Sequence, residues 1–291
     1  MIISRLNGGL GNQMFQYAFG RSLALELGVE LALDTSLLAT ARKSTTPRNF
    51  ALDAFAIHAR AATEAESLNC DRATRWVPFS RWTSGFTVLR ESPASYPAKL
   101  RADKKDMILE GYWQSEICFD AHASRISEEF RPRRDLSRRS EAAAREISGS
   151  SAVAIHVRRG DYVSLAAAAR FHGALPISYY EQAAGMIRSK ETHPLWIVFS
   201  DDVEWCREAL SFLSGELRFV DHNQGPDSWQ DLHLMSLCRH HIIANSSFSW
   251  WGAWLSEQRG YSGQMIHAPK RWFRGKDPYA KFRIPERWTR V

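Results

Sequence analysis

From residue 152 onward the chain alternates short apolar runs with helix-start signals, and this restricts the fold more than any other feature. The apolar runs lie at 152–157, 195–200, 217–221, 242–244 and 264–267. Helices are expected to begin near Ser178, Asp202, Ser228 and Ser249, the first placed by a capping pair, Ser178 with Glu181. Strands that alternate with helices predict a parallel sheet with right-handed helical crossovers. Residues 1–34 run through the pattern once more. A strand at 2–6 leads through the loop 8–12 into a helix at 13–27, stopped by Gly28, and then a strand at 29–33. Residues 36–105, rich in Pro, Ser and Trp, read as short helices and loops. A strand follows at 107–109, with helices at 121–130 and 141–147. The expected domains are 1–149 and 150–291, both α/β.

Two stretches sit where such a sheet would bind ligands. Asn245 to Leu255, NSSFSWWGAWL, follows the 242–244 run and places Asn245, Ser246, Ser247 and Ser249 at a strand-to-helix turn. The N–H groups of a helix start lack intrahelical partners and attract anions. The same residues also read as a plain cap, with Ser249 at the N-cap, above a helix whose tryptophans fill core. His156-Val157-Arg158-Arg159-Gly160-Asp161-Tyr162 follows the apolar run Ala152-Val153-Ala154-Ile155. Two arginines at the carboxyl end of a parallel strand point into the crevice that open α/β sheets use for ligands. Arginine's planar fork of donors suits phosphate oxygens. An Arg158–Asp161 or Arg159–Asp161 ion pair closing the turn is the alternative. Near the N-terminus, Gly8-Gly9-Leu10-Gly11-Asn12-Gln13 lacks both the Walker lysine and the dinucleotide glycine spacing, and alone is a weak signal.

Together these blocks resemble the α1,2-fucosyltransferases of glycosyltransferase family 11, which include bacterial O-antigen enzymes and animal blood-group H enzymes. The resemblance extends over Gly8 to Ala18 (GGLGNQMFQYA), Gly111 to Ser115 (GYWQS), Phe199 to Asp202 with Trp205-Cys206, and Asp231 to Ser236 (DLHLMS). It does not reach residues 36–105. It implies a GT-B fold, two Rossmann-like domains facing across a cleft, with GDP-fucose held by the C-terminal domain and the acceptor by the N-terminal one. The implied reaction moves L-fucose from GDP-β-L-fucose, with inversion, to the 2-hydroxyl of a terminal galactose on an oligosaccharide or lipid-linked glycan. Another GDP-sugar or hydroxyl, or a binding protein without catalysis, stays open as an alternative.

The resemblance assigns the diphosphate clamp to Arg158, supported by Arg159, with Ser246 and Ser247 completing the phosphate shell. It places Asp231 on the guanine, although Ser228 and Asp231 also fit a capping box. His156, Gly11 and Asn12 fall on the donor side, with a packed core histidine as the alternative for His156, and Gln13, Trp113 and Gln114 fall on the acceptor side. Asp161 is the only carboxylate inside the arginine motif, so it either takes the acceptor's proton or orients an arginine. Ser200-Asp201-Asp202 looks like the acidic metal motif of other glycosyltransferases, but it follows a strand and precedes a helix, which favours a cap. No metal and no cofactor are expected.

Composition limits the partners. Formal net charge is +6, with basic runs at 131–139 and 270–290. No nucleic-acid module accompanies them, so a solvated basic face or peripheral contact with an anionic membrane surface is the expectation. Four scattered cysteines lack metal or redox spacing and suit a reducing cytoplasm. Neither a signal peptide nor a membrane span is read from the sequence.

Overall fold

The computed structural model describes residues 1–38, 48–74, 85–93, 106–160 and 173–291. The chain divides into two compact units. The first is Met1–Arg133 with Lys281–Arg283, and the second is Arg134–Ala280 with Ile284–Val291. The division falls before residue 150 for a physical reason. Helix 138–148 buries Ile147 in one core with Ala152, Leu234 and Met235 of the second unit. Just ahead of it, the Ser137 N–H donates to Gln230 Oε1 at 2.8 Å.

In the first unit, β1 (Ile2–Arg5), α1 (Leu10–Leu27), β2 (Leu31–Asp34), β3 (Arg60–Ala61), α2 (Glu64–Thr74), β4 (Thr87–Arg90), β5 (Met107–Glu110) and α3 (Ala123–Glu129) follow one another. The sheet order is β3-β2-β1-β5-β4, with every pairing parallel. Two of these strands, β3 and β4, lie in the region read as helices and loops. They are short, and β4 is only half-buried, so neither carries an apolar run. Helix α1 starts three residues earlier than expected. The Gly9 carbonyl accepts from the N–H groups of both Asn12 and Gln13, which draws the loop's last glycine and Asn12 into the first turn.

The second unit runs α4 (Arg138–Ser148), β6 (Ala152–Val157), α5 (Ile177–Arg188), β7 (Leu195–Ser200), α6 (Val203–Ala209), β8 (Glu216–Val220), α7 (Ser228–Leu237), β9 (His240–Ile242), α8 (Ser247–Glu257), β10 (Ile266–Ala268) and β11 (Thr289–Arg290). Its sheet order is β11-β10-β9-β6-β7-β8, again all parallel. Both faces are covered. Val153, Ile155 and Val157 pack with Trp196 and Val198 against α5 and α6. Ala152 and Ala154 pack with Ile197 and Phe199 against α4 and α7. A strand buried on both faces needs a continuous apolar run, which is why β6 and β7 were readable.

Three helix starts in this unit differ from the sequence reading. Helix α4 begins at Arg138 rather than at 141 because Ser137 caps it. Helix α5 begins at Ile177 with Pro176 at its N-cap and no side-chain cap, so Ser178 lies inside the helix and the capping pair does not form. Helix α8 is capped by Ser246, whose Oγ accepts from the Phe248 N–H, rather than by Ser249. Ser249 is buried and bonds back to the Ser246 and Ala244 carbonyls.

The tryptophans Trp250, Trp251 and Trp254 are core, each at most 1% exposed and in ring contact with one another. Helix α8 can lie close on α7 because residue 252 is glycine. A Cβ there would sit 2.8 Å from Met235 Cβ, a backbone-anchored atom that cannot swing away. Gly185, inside α5, has nothing within 4 Å of its own Cβ position. Gly252→Ala is therefore expected to lose roughly 1–3 kcal/mol through overpacking, while Gly185→Ala gains roughly 0.4–1 kcal/mol by restricting the unfolded chain. Chemical denaturation of the two variants checks this, and equal effects would contradict the packing argument.

Candidate functional site

In a parallel sheet all carboxyl ends lie on one edge, and a ligand crevice opens where the winding direction reverses. In the second unit the chain moves from β6 outward to β7 and β8, then resumes on the other side with β9, β10 and β11. The switch point thus lies between β6 and β9, and the segments leaving these two strands are His156–Arg159 and Asn245–Ser247. The two most telling sequence blocks become neighbours by topology.

The floor of this edge is tied down from α5. Tyr180 Oη donates to the His156 carbonyl at 3.3 Å, and Tyr179 Oη donates to the Ile243 and His267 carbonyls at 2.6 and 3.1 Å. Asn245 Nδ2 donates to the carbonyls of Gly173 and Trp272. Asn245 is therefore a structural anchor of the turn, while Ser246 and Ser247 stay half-buried at the start of α8.

Both arginines pair with the aspartates that follow β7. Arg158 Nη1 lies 2.8 Å from Asp201 Oδ2, and Arg159 Nε lies 3.0 Å from Asp202 Oδ2. Asp201 also accepts from the Arg159 N–H at 2.8 Å. The Arg159 guanidinium stacks over Trp205 at 3.9 Å, so it is held on two sides. Asp202 caps α6 through the Trp205 N–H, as the cap reading of this acidic pair expected. Asp201 and Asp202 thus orient the arginines from the end of β7, the neighbouring strand. Arg158 is 29% exposed, so an anion can reach it. Asp161, the only carboxylate inside the arginine motif, lies outside the described residues.

His156 is 7% exposed, with its ring 5.9 Å from that of Phe248 at the start of α8. Burial, reinforced by the Arg158 charge, holds its imidazole well below the usual pKa, so the ring is neutral. Its Nδ1 is buried without a hydrogen-bond partner among the described residues. Farther along the edge, Asp231 on α7 does not close its helix: no side chain caps α7. It accepts instead from Asn223 Nδ2 at 2.8 Å. Burial pushes this carboxyl up to about 7, against the lowering effect of the Asn223 bond. Asn223, in the loop after β8, was not singled out from sequence. It bonds Ser140 as well, which anchors it to α4.

The first unit has its own switch point, between β1 and β5. The loops leaving these strands are joined by Gln16, which accepts from the Asn7 N–H and donates to the Gly111 carbonyl, both at 2.9 Å. Gln114 Nε2 donates to Asn12 Oδ1 at 2.7 Å, uniting two residues of separate blocks. Gln13 does not join them. It is fully buried, donating to the Gly8 and Asn49 carbonyls and accepting from the Ala51 N–H, so its amide is committed to the backbone. Trp113 is likewise core, 1% exposed and packed on Phe19 at 4.4 Å. Gly11 is buried within α1 and offers only backbone.

The comparisons with known proteins agree with this arrangement. Residues 99–277 match the sequence profile of "Glycosyl transferase family 11". An Escherichia coli protein named alpha-1,2-colitosyltransferase is 32% identical over 100% of this chain and 99% of its own. The Escherichia coli O-antigen biosynthesis glycosyltransferase WbnK is 33% identical over 94% of this chain and 95% of its own. A galactoside alpha-(1,2)-fucosyltransferase 1 from Plecturocebus brunneus is 34% identical over 36% of this chain, which is 28% of its own length. In fold, the chain resembles the crystal structure of fucosyltransferase NodZ from Bradyrhizobium, with TM-score 0.55 over 86% of this chain and 91% of that one at 16% identity. The chain belongs to glycosyl transferase family 11.

The Asp231 carboxyl makes the ligand-free protein respond to pH in a definite direction. Its folded pKa of about 7 lies above the ordinary carboxylate value. Between about pH 4 and pH 7 the folded state therefore keeps a proton that the unfolded chain has released. This contribution to stability is full below pH 4 and is lost as pH rises through 7. Asp231→Asn removes that dependence. Its melting temperature relative to the parent is expected to be unchanged near pH 4 and higher by pH 8. A difference that stays flat over this range would contradict the desolvated placement of the Asp231 carboxyl.

Proposed function

We propose that the protein transfers L-fucose from GDP-β-L-fucose to the 2-hydroxyl of a galactose-containing acceptor, with inversion to an α1,2 linkage. The observation that carries this reading is the pairing of the Arg158 loop with the Ser246–Ser247 helix start at one switch point. A full-length relative named for α1,2 transfer supports it, as does fold similarity to a fucosyltransferase whose crystals were soaked with GDP-fucose.

In the proposed reaction the acceptor oxygen attacks the fucose anomeric carbon as the bond to GDP breaks. The acceptor proton passes to a base, with Asp161 as the candidate. Negative charge grows on the departing diphosphate, and stabilisation there lowers the barrier because it strengthens toward the transition state. Arg158, steered by Asp201, would supply a fixed positive charge, and the half-buried serine hydroxyls and N–H groups of α8 would donate to the remaining phosphate oxygens. A neutral His156 adds no charge and can serve as a hydrogen-bonding wall. Asp231 would read guanine through its adjacent ring N–H and exocyclic N–H, a pair that uracil and adenine do not present.

No metal is required in this proposal, since Arg158 neutralises the leaving group. Exhaustive chelation is then expected to leave transfer unchanged, and loss restored by manganese or magnesium would overturn that point. Absence of a membrane-crossing helix among the described residues leaves the basic surface for peripheral contact with a membrane that carries a lipid-linked acceptor.

A second donor follows from the relative named as a colitosyltransferase. Colitose is fucose without its 3-hydroxyl, so the same site chemistry serves either sugar. Incubation with GDP-fucose or GDP-colitose and a panel of galactosides, with product linkage assigned by NMR, separates these readings. An α1,2-fucosylated galactoside supports the proposal, and donor hydrolysis without transfer to any galactoside contradicts it. In the active pair, Arg158→Ala is expected to lower kcat by about 10² to 10³. Arg158→Lys should restore little, because a point charge replaces a fork. Near-normal turnover in folded Arg158→Ala would end the assignment.

A further inference from the structure

The loop after β8 and the start of α7 are both moored to the first turn of α4. Ser137 Oγ caps that turn through the Ser140 N–H, and the Ser137 N–H donates to Gln230 Oε1 at 2.8 Å. Gln230 is buried and directly precedes Asp231. Ser140 is fully buried, and its Oγ lies 3.2 Å from Asn223 Oδ1, 3.1 Å from Asn223 Nδ2 and 3.1 Å from His222 Nε2. Asn223 is itself buried, 8% exposed. The helix that carries Asp231 and the side chain that bonds it are thus held from one place.

Asn223 Nδ2 donates to Asp231 Oδ1 at 2.8 Å. An ionised carboxylate only accepts, so this contact sets the sense of the amide, with its NH₂ group toward Asp231. Asp231 lies half-buried in the first turn of α7, and among the described residues no second bond reaches its carboxylate. For the fold alone this would be a poor place for an acid, since burial pushes it up to about 7 against the Asn223 bond. Oδ1 has a second lone pair, so it can serve Asn223 and a ligand together.

The terminal torsion of an aspartate is broad, and a lone carboxylate turns easily about it. Two adjacent N–H groups on a flat ring are matched only when both oxygens lie in the ring's plane. A side donor fixed to the scaffold narrows that torsion.

We infer that Asn223 is a positioning residue for nucleotide selection: it sets the roll of the Asp231 carboxylate, so that both oxygens meet the ring N–H and the exocyclic amino group of guanine at once. This rests on the guanine reading proposed above and adds to it the residue that sets its geometry.

The test is calorimetric binding of GDP and inosine diphosphate to the full chain, for the parent, Asp231→Ala, Asn223→Ala, Ser140→Ala and the double variant Asn223→Ala/Asp231→Ala. Inosine keeps the ring N–H and lacks the exocyclic amino group, so the ratio of the two dissociation constants isolates the second bond. The parent is expected to favour GDP by about tenfold to hundredfold, the range of one hydrogen bond to a charged group. Asp231→Ala should abolish that preference. Asn223→Ala is expected to lower it by about three- to tenfold, part of one such bond, with inosine diphosphate binding little changed. Ser140→Ala leaves Asn223 in place on an intact helix and should lower the preference in the same direction by less. In the Asp231→Ala background, Asn223→Ala should change GDP binding by less than about twofold, because its effect passes through Asp231. An unchanged preference in Asn223→Ala, or in Ser140→Ala if Asn223→Ala does not fold, overturns the inference and leaves the guanine reading standing when Asp231→Ala has lost it. So does an equal loss for both nucleotides that tracks melting temperature, which marks a bond serving the fold alone. A parent without the preference, or a preference that survives Asp231→Ala, refutes the guanine reading and the inference with it.

Discussion

Everything functional here depends on a property of parallel sheets: their strands end together, and a reversal of winding leaves two adjacent ends uncovered by a crossover. Both units reverse at their central strand, between β1 and β5 in one and between β6 and β9 in the other. The loops leaving those four strands carry GGLGNQ, GYWQS, HVRRG and NSS, four blocks far apart in sequence. Topology gathers them into two clusters, one in each unit. Burial on both faces of β6 and β7 then makes register unforgiving, because any slip would move apolar side chains out of one core into the other.

Electrostatics at the second switch point is arranged before any ligand arrives. Asp201 and Asp202 approach from the adjacent strand end and hold Arg158 and Arg159 without enclosing them. Pairs this exposed contribute little to stability. Their effect is orientation: Asp201 bonds both the Arg158 guanidinium and the Arg159 backbone, so the loop's direction and its charge are set by one carboxylate. Asp231 is treated the opposite way. It is half-buried and, among the described residues, bonds one amide donor and no cation; desolvation raises its pKa against the lowering effect of that bond and leaves a carboxylate poorly satisfied until something supplies N–H groups.

Much of this was legible in the sequence where local chemistry decides. The apolar runs of β6 and β7, the strand–helix alternation and the Asp202 cap could be read because each depends on neighbours in the chain. Short or half-buried strands such as β3 and β4 carry no such signal. The Ser178 capping pair misled because the same spacing fits a helix interior when the chain enters from proline. Gln13 and Trp113 sit in the right blocks yet serve the fold, since which side of a loop faces inward depends on residues tens of positions away. Asn223 lay outside any motif, and only three-dimensional proximity to Asp231 makes it matter.

The central claim is that the β6–β9 switch point holds a guanosine diphosphate. A crystal structure of the protein with GDP tests this most directly. The account predicts the diphosphate between Arg158 and the N–H groups that open α8, with the guanine edge on Asp231. A nucleotide bound elsewhere, or one at this edge with its phosphates turned away from Arg158, would contradict it.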